Sequence, residues 1–234
     1  MRHIEVDRAI NRAPALSIAE DKDDLLLISF QGRGLWRYRD GWKPVKAPGL
    51  PTKAPWAIFR DSREQLWLGY PNKQVFVRKG STYQLVNLGE GRWSNTLTFY
   101  EAAGTIWAGS SDGLCFLAKE RLLRVHATEA GLLRGISGIA RDRSGSLWLN
   151  AADGAIRIDA AEVGRLLKDP NYPVSLELFS DKDGLMGQPT HFKPTPSAVV
   201  DAHGILRRNI RLHFRKPRRE PFPDGSQRAA TFRA

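Results

Sequence analysis

The sequence predicts an all-β fold, a β-propeller of four-stranded antiparallel blades of about 40 residues each. Three observations carry that prediction. Segments of the chain repeat at a spacing near forty. Within each repeat, apolar and polar residues alternate with period two, and Gly, Asn or Asp punctuates the pattern about every 8–12 residues. The composition is globular: 234 residues, 41% hydrophobic and 26% charged, with one cysteine, Cys115. That count leaves no disulfide framework and no cysteine-based zinc cluster.

The repeat is anchored at Ile28, Trp67, Trp107 and Trp148, which lie 39, 40 and 41 residues apart. Residues 61–69, 101–109 and 142–150 align without gaps around these anchors, on a pattern close to D-x-x-G-x-L-W. Eight residues after each anchor stands Trp36, Val75, Cys115 or Ile156, and six after it stands Gly34, Gly113 or Gly154 in three copies. The second repeat shows the expected elements. Residues 56–60, 65–70, 74–78 and 82–86 read as strands, joined by polar turns at 61–64, 71–73 and 79–81. A large tryptophan ring on a central strand fills the wedge between tilted blades. The Asp before the hairpin bonds turn amides. The Gly supplies positive φ or close approach. These repeated residues are read as packing and turn chemistry, not as catalysts.

A fifth copy opens at residues 197–206 with Arg207 at its anchor position, 59 residues after Trp148. An insertion of about nineteen residues falls between them, within residues 160–196. The expected organisation is therefore an incomplete propeller over residues 1–206, of four blades and part of a fifth, followed by a basic tail at 207–234. An open ring exposes edges and one apolar blade face at each end, so self-association is expected.

These copies resemble the two-component regulator propeller family. Its units read as a D-G-L turn, a short inner strand and then D-x-x-G-x-L-W. The turn is present as Asp183-Gly184-Leu185, as Ala130-Gly131-Leu132 and, degenerately, as Pro48-Gly49-Leu50. Residues 158–167 resemble that family's late helical excursion, and the likeness covers residues 20–206. It implies the periplasmic ligand-sensing region of a bacterial transmembrane sensor, upstream of a histidine kinase or diguanylate cyclase. It carries no catalytic motif and no cofactor. The implied partner is a small-molecule or oligosaccharide ligand of the intact parent. The sequence shows no apolar run long enough to span a bilayer, and neither a kinase box nor an export signal is expected within it.

The net charge of +11 is uneven. Residues 206–234 hold nine basic against two acidic groups, whereas residues 1–205 hold 27 against 23. After Leu206 the apolar alternation stops and Arg, Pro and Ala dominate. A reading-frame slip in GC-rich coding DNA would produce that switch. A true basic tail binding nucleic acid or anionic lipid, or a solvated terminus, is the alternative. The tail lacks an amphipathic pattern and interleaved aromatics, so no nucleic-acid surface is expected.

Candidate ligand-binding residues lie on the connections that lead into each innermost strand, at the rim of the central channel. They are Trp56, Arg92, Trp93, Asn95, Arg134, Gln188 and His191, with Lys53 and Phe192 beside them. Aromatic faces stack on sugar rings, and Arg or Asn bonds hydroxyls and carboxylates. Packing between blades is the competing role for Trp56 and Trp93. The five histidines show no metal-ligand spacing, and Lys interrupts both acidic turns that would suggest calcium. Cys115 fills an apolar slot. Two alternatives to a sensor stand: a propeller lyase or glycoside hydrolase, and a protein-interaction scaffold.

Overall fold

The structure is a computed structural model that describes residues 7–22, 25–91, 93–185, 188–189, 197–200, 205–208, 210–211 and 232–233. Four sheets follow one another along the chain, each with four antiparallel strands and the third extended by a fifth, parallel strand. Blade 1 comprises β1 (Ala15–Glu20), β2 (Leu26–Phe30), β3 (Gly34–Tyr38) and β4 (Trp42–Pro44). Blade 2 comprises β5 (Ala57–Arg60), β6 (Leu66–Gly69), β7 (Val75–Lys79) and β8 (Thr82–Leu85). The two-residue strand β9 (Asn87–Leu88) precedes blade 3, which is β10 (Thr96–Ala102), β11 (Thr105–Ser110), β12 (Leu114–Ala118) and β13 (Arg121–Arg124). Blade 4 is β14 (Gly138–Arg141), β15 (Leu147–Ala151), β16 (Gly154–Ile158) and β17 (Glu177–Phe179), with helix α1 (Ala160–Lys168) inserted before its last strand. Beyond it lie β18 (Gln188–Pro189) and a fifth unit begun by β19 (Ala198–Val200) and β20 (Ile205–Arg208). The basic tail falls almost wholly outside the described residues.

The repeat survives in the pairing register, with one correction. Trp67 pairs with Phe59, Trp148 with Ala140 and Trp107 with Tyr100, each on the second strand of its blade. The equivalent residue of blade 1 is Leu27, which pairs with Ala19, and not Ile28. The anchors are thus Leu27, Trp67, Trp107 and Trp148, and the residue eight positions on is Leu35 instead of Trp36. The physical reason is the turn. Asp21 N–H donates to Leu25 O, as Asp61 N–H does to Gln65 O and Asp142 N–H to Ser146 O, and this turn fixes the strand phase.

Adjacent blades bury complementary faces. One face carries the anchor and packs forward on the next blade. The other carries the residues on either side of the anchor and receives the preceding blade. Leu27 and Leu35 of blade 1 meet Ile58, Leu66, Leu68, Tyr70 and Phe76 of blade 2. Trp67, Val75 and Val77 of blade 2 meet Phe99, Ile106, Ala108 and Cys115 of blade 3. Trp107, Leu114 and Phe116 of blade 3 meet Ile139, Leu147, Leu149, Ile156 and Ile158 of blade 4. Two residues after each anchor the blades come closest. A Cβ on Gly69 would sit 2.5 Å from Thr96 of the next blade, and one on Gly109 would sit 2.5 Å from Ile136 O. At the same position Ser29 Oγ donates to Pro55 O, and Asn150 Nδ2 donates to Ser197 Oγ at 2.9 Å.

The connections between blades also protect sheet edges. The segment leaving blade 2 forms β9, which runs parallel to β13 of blade 3. The segment leaving blade 3 makes a parallel bridge, Ala127 to Val174, ahead of β17. The connection from blade 1 to blade 2 carries Pro48, Pro51 and Pro55, which lack amide donors. Strand β8 is accordingly the last strand of its sheet, with Leu85 63% exposed. Helix α1 is tied down by its buried Glu162. That carboxylate accepts from Ser175 N–H at 2.6 Å and from the Tyr172 hydroxyl at 3.2 Å, while Val163 and Leu166 enter the core.

Candidate functional site

The first strand of each blade is innermost. Residues of β1, β5, β10, β14 and β19 together line a central cavity of about 760 Å³. Its wall is apolar, with Ile18, Ile58, Phe99 and Ile139 at one shared register position. At the ends of these strands stand Glu20, Arg60, Glu101 and Arg141, again at one position, opposite Leu26, Leu66, Ile106 and Leu147. The channel mouth on that side therefore carries charge of alternating sign. Sequence reasoning passed over this ring. Its signal is a charged residue in every copy, one step before the hairpin turn in blades 1, 2 and 4 and two steps before it in blade 3.

The opposite mouth is the lead-in rim where the candidate residues were expected. Its loops are held by backbone hydrogen bonds to the adjoining hairpins, some within a blade and some between neighbouring blades. Lys73 N–H donates to Ser94 O at 2.9 Å, and Ser111 N–H donates to Asn95 O at 3.1 Å. Gly135 N–H donates to Ser111 O at 2.9 Å, and Ala152 N–H donates to Arg134 O at 2.9 Å. The Ser111 backbone thus joins the loop bearing Asn95 to the loop bearing Arg134, a connection the sequence did not reveal. The exposed Arg134 guanidinium forms two bonds to the Asp153 carboxylate, 2.9 and 3.0 Å, across the mouth of the β15–β16 hairpin. Asn95 is half-buried, as is Trp56, whose N–H donates to Gly69 O. Lys53 is exposed on the wall of a rim cavity of about 370 Å³ shared with Tyr70 and Asn72.

Trp93 stands apart from these. It is 4% exposed and lies in the core between blades 2 and 3 with Trp67 and Phe99. Its ring is enclosed by packing and presents no face for stacking. Gln188 is described through its backbone, where it pairs with Arg211. Arg92, His191 and Phe192 lie outside the described residues.

The ionisable groups near the core are structural. Burial pushes the Cys115 thiol up to about 12, with Arg124 acting weakly in the other direction. Burial raises Asp142, but bonds from Ser144, Trp148 and Ser146 outweigh it and hold the carboxyl below its usual range. Asp21 is likewise held low, because its two short bonds to Arg78 of blade 2 outweigh its burial. Among the described residues no cluster of three His, Cys, Asp or Glu side chains is placed to hold a metal ion. None of the described helices is long and apolar enough to cross a membrane.

Alternating blades around a channel define a β-propeller, and solved structures share this one. The extracellular domain of a protein described as a hybrid two-component system from B. thetaiotaomicron matches 87% of the chain, with TM-score 0.66 and 18% identity. A catalytically inactive variant of virginiamycin B lyase from Staphylococcus aureus matches 88%, with TM-score 0.62 and 11% identity. A gluconolactonase from Xanthomonas campestris matches 82%, with TM-score 0.54 and 13% identity. The chain spans 26% of the first of these, 66% of the second and 68% of the third. No protein-family model and no curated protein matches the sequence.

Proposed function

We propose that this propeller is a ligand-sensing segment of the extracytoplasmic part of a bacterial transmembrane signalling protein. The supporting observation for that class is the fold overlap with the two-component extracellular domain across 87% of the chain. On this reading the ligand, a small molecule or an oligosaccharide, binds the lead-in rim. Asn95 and Arg134 offer an amide and a guanidinium on adjacent loops that Ser111 joins. A ligand touching both engages blades 3 and 4 together. It would bias how they pack, and only that difference in affinity between packings can pass a signal to an output domain.

Calorimetric titration of the chain with oligosaccharide fragments and small organic acids tests the rim. Saturable binding that weakens at least tenfold in an Asn95→Ala, Arg134→Ala double variant supports it. Saturable binding that the double variant leaves unchanged overturns the site. A second reading is enzymatic, since the lyase and gluconolactonase share the fold and fold alone does not set function. Consumption of a titrant during the same experiment would favour it.

A further inference from the structure

A cavity of about 360 Å³ lies between blades 2 and 3 on the hairpin side, away from the lead-in rim. Blades 1 and 4 flank these two blades, so its walls are complete. Buried Trp67, Val77 and Ile106 form its base. Around them stand the turn at 61–64 of blade 2, the turns at 103–104 and 119–120 of blade 3, and the segment 85–87 that carries the chain across to β9. The pairing register explains why the space exists. Counted from the pairs Trp107–Phe116 and Trp148–Arg157, Gly104 and Lys119 of blade 3 match Gly145 and Ala160 of blade 4. Ala160 begins helix α1. A Cβ on Gly145 would lie 3.4 Å from the Ala160 Cβ, whereas one on Gly104 would meet nothing within 4 Å. Blade 4 runs on into a helix at this point. Blade 3 turns back at Lys119 and Glu120, both with positive φ, and the place that α1 takes in blade 4 stays open over Trp67.

The charges around this cavity do not balance once their bonds are counted. The Asp61 carboxylate is engaged by Trp67 and by the amides of Arg63 and Gln65. Glu101 is engaged by the amide and hydroxyl of Ser62, and Glu120 by Lys79 at 2.7 Å. The Arg63 guanidinium and the Lys119 ammonium have no partner among the described residues, and neither do the side-chain amides of Gln65, Gln84 and Asn87. The wall therefore offers two uncommitted cations and three amides, while its carboxylates are already bonded. Its volume falls in the range of small-molecule sites, about 300–1,000 Å³. We infer that this cavity binds a hydroxylated carboxylate of monosaccharide size. Arg63 and Lys119 hold the carboxylate, and the amides bond the hydroxyls. Arg63 and Gln65 belong to blade 2 and Lys119 to blade 3, so the bound acid bridges two blades. The site shares no residue with the rim and does not depend on it.

Calorimetric titration of the full chain with sodium glucuronate tests this. Saturable binding is expected, weaker at high ionic strength, where the charges are screened. Glucose, which lacks the carboxylate, and acetate, which lacks the hydroxyls, are each expected to bind at least tenfold more weakly. An Arg63→Ala, Lys119→Ala double variant is expected to lose at least tenfold in glucuronate affinity. Both residues are exposed, so the core is untouched. An Arg63→Lys, Lys119→Arg variant keeps both charges and is expected to retain binding. The Asn95→Ala, Arg134→Ala rim variant is expected to bind glucuronate as the parent chain does. No saturable binding of glucuronate, equal binding of glucose or acetate, or binding that only the rim variant removes would overturn the inference.

Discussion

The Trp67 indole Nε1 donates to Asp61 Oδ2 at 2.9 Å, while Asp61 Oδ1 accepts from the Arg63 and Gln65 amides of the hairpin between them. One carboxylate therefore both closes the turn and clamps the ring that the turn delivers to the blade interface. Trp148 and Asp142 repeat the pair at 2.8 Å. Blade 3 lacks it. There the turn shortens to Ala103 and Gly104, Trp107 donates to Ala102 O, and Glu101 reaches across to Ser62 of blade 2.

Trp67→Phe keeps much of the apolar ring but leaves one Asp61 oxygen without its donor. It is expected to lower stability by about 1–3 kcal/mol, and Trp67→Ala by about 3–5 kcal/mol. Urea unfolding followed by circular dichroism measures both. Equal losses for the two variants would mean that the clamp, and not the packing, dominates.

Asp21 and Arg78 join blades 1 and 2 through a paired contact of 2.6 and 2.5 Å. The folded Asp21 carboxyl ionises below its ordinary 3.8. Its contribution is therefore fully present above about pH 4 and is lost as pH falls through the lower folded value. Asp21→Asn should cost about 1.5–3 kcal/mol at neutral pH. The gap from the parent chain should shrink in acid. Denaturation curves at pH 7 and pH 3 give the comparison, and a gap that widens in acid would refute the assignment.

Cys115 is buried, and its thiol titrates near 12. The thiolate is the reactive form. The native chain should thus resist iodoacetamide at pH 8 and be alkylated promptly in denaturant, as read by intact mass.

Gly154 has φ +155°, and a Cβ there would fall 2.1 Å from Phe179 O on the neighbouring strand. Gly154→Ala should cost about 1–3 kcal/mol or more, through strain and overpacking together. Ala103 is the opposite case. It holds φ +52° ahead of Gly104 in a two-residue hairpin, where Asn-Gly is favoured. Ala103→Asn should stabilise by about 0.5–1 kcal/mol, and thermal melting resolves the two signs.

Much of this fold was legible because its punctuation is chemical. In the second repeat the predicted strands at 65–70, 74–78 and 82–86 fall within one residue of β6, β7 and β8 at each end. Blade 1 was read one residue out of phase. Its turn, Asp21 to Leu25, carries no Gly, and the Leu-Leu-Leu-Ile run that follows has no tryptophan to mark which face is which. The site was less legible. Trp93 reads as a rim aromatic by position, yet packing against Trp67 and Phe99 decides its place. The bond from Gly135 to Ser111 joins loops from two repeats and leaves no local pattern.

Strand β9 has a further consequence. Residues 87–88 belong by sequence to the second repeat, but their hydrogen bonds run to Arg121 and Leu122 of the third, and Gly89 N–H adds another to Leu122 O at 2.8 Å. The heritable unit and the cooperative unit are thus out of phase. Amide hydrogen exchange should report Gly89 opening together with blade 3, not with the blade that precedes it. A graft or deletion that respected the sequence period would cut through a folding unit, whereas one made just before Asn87 would spare it.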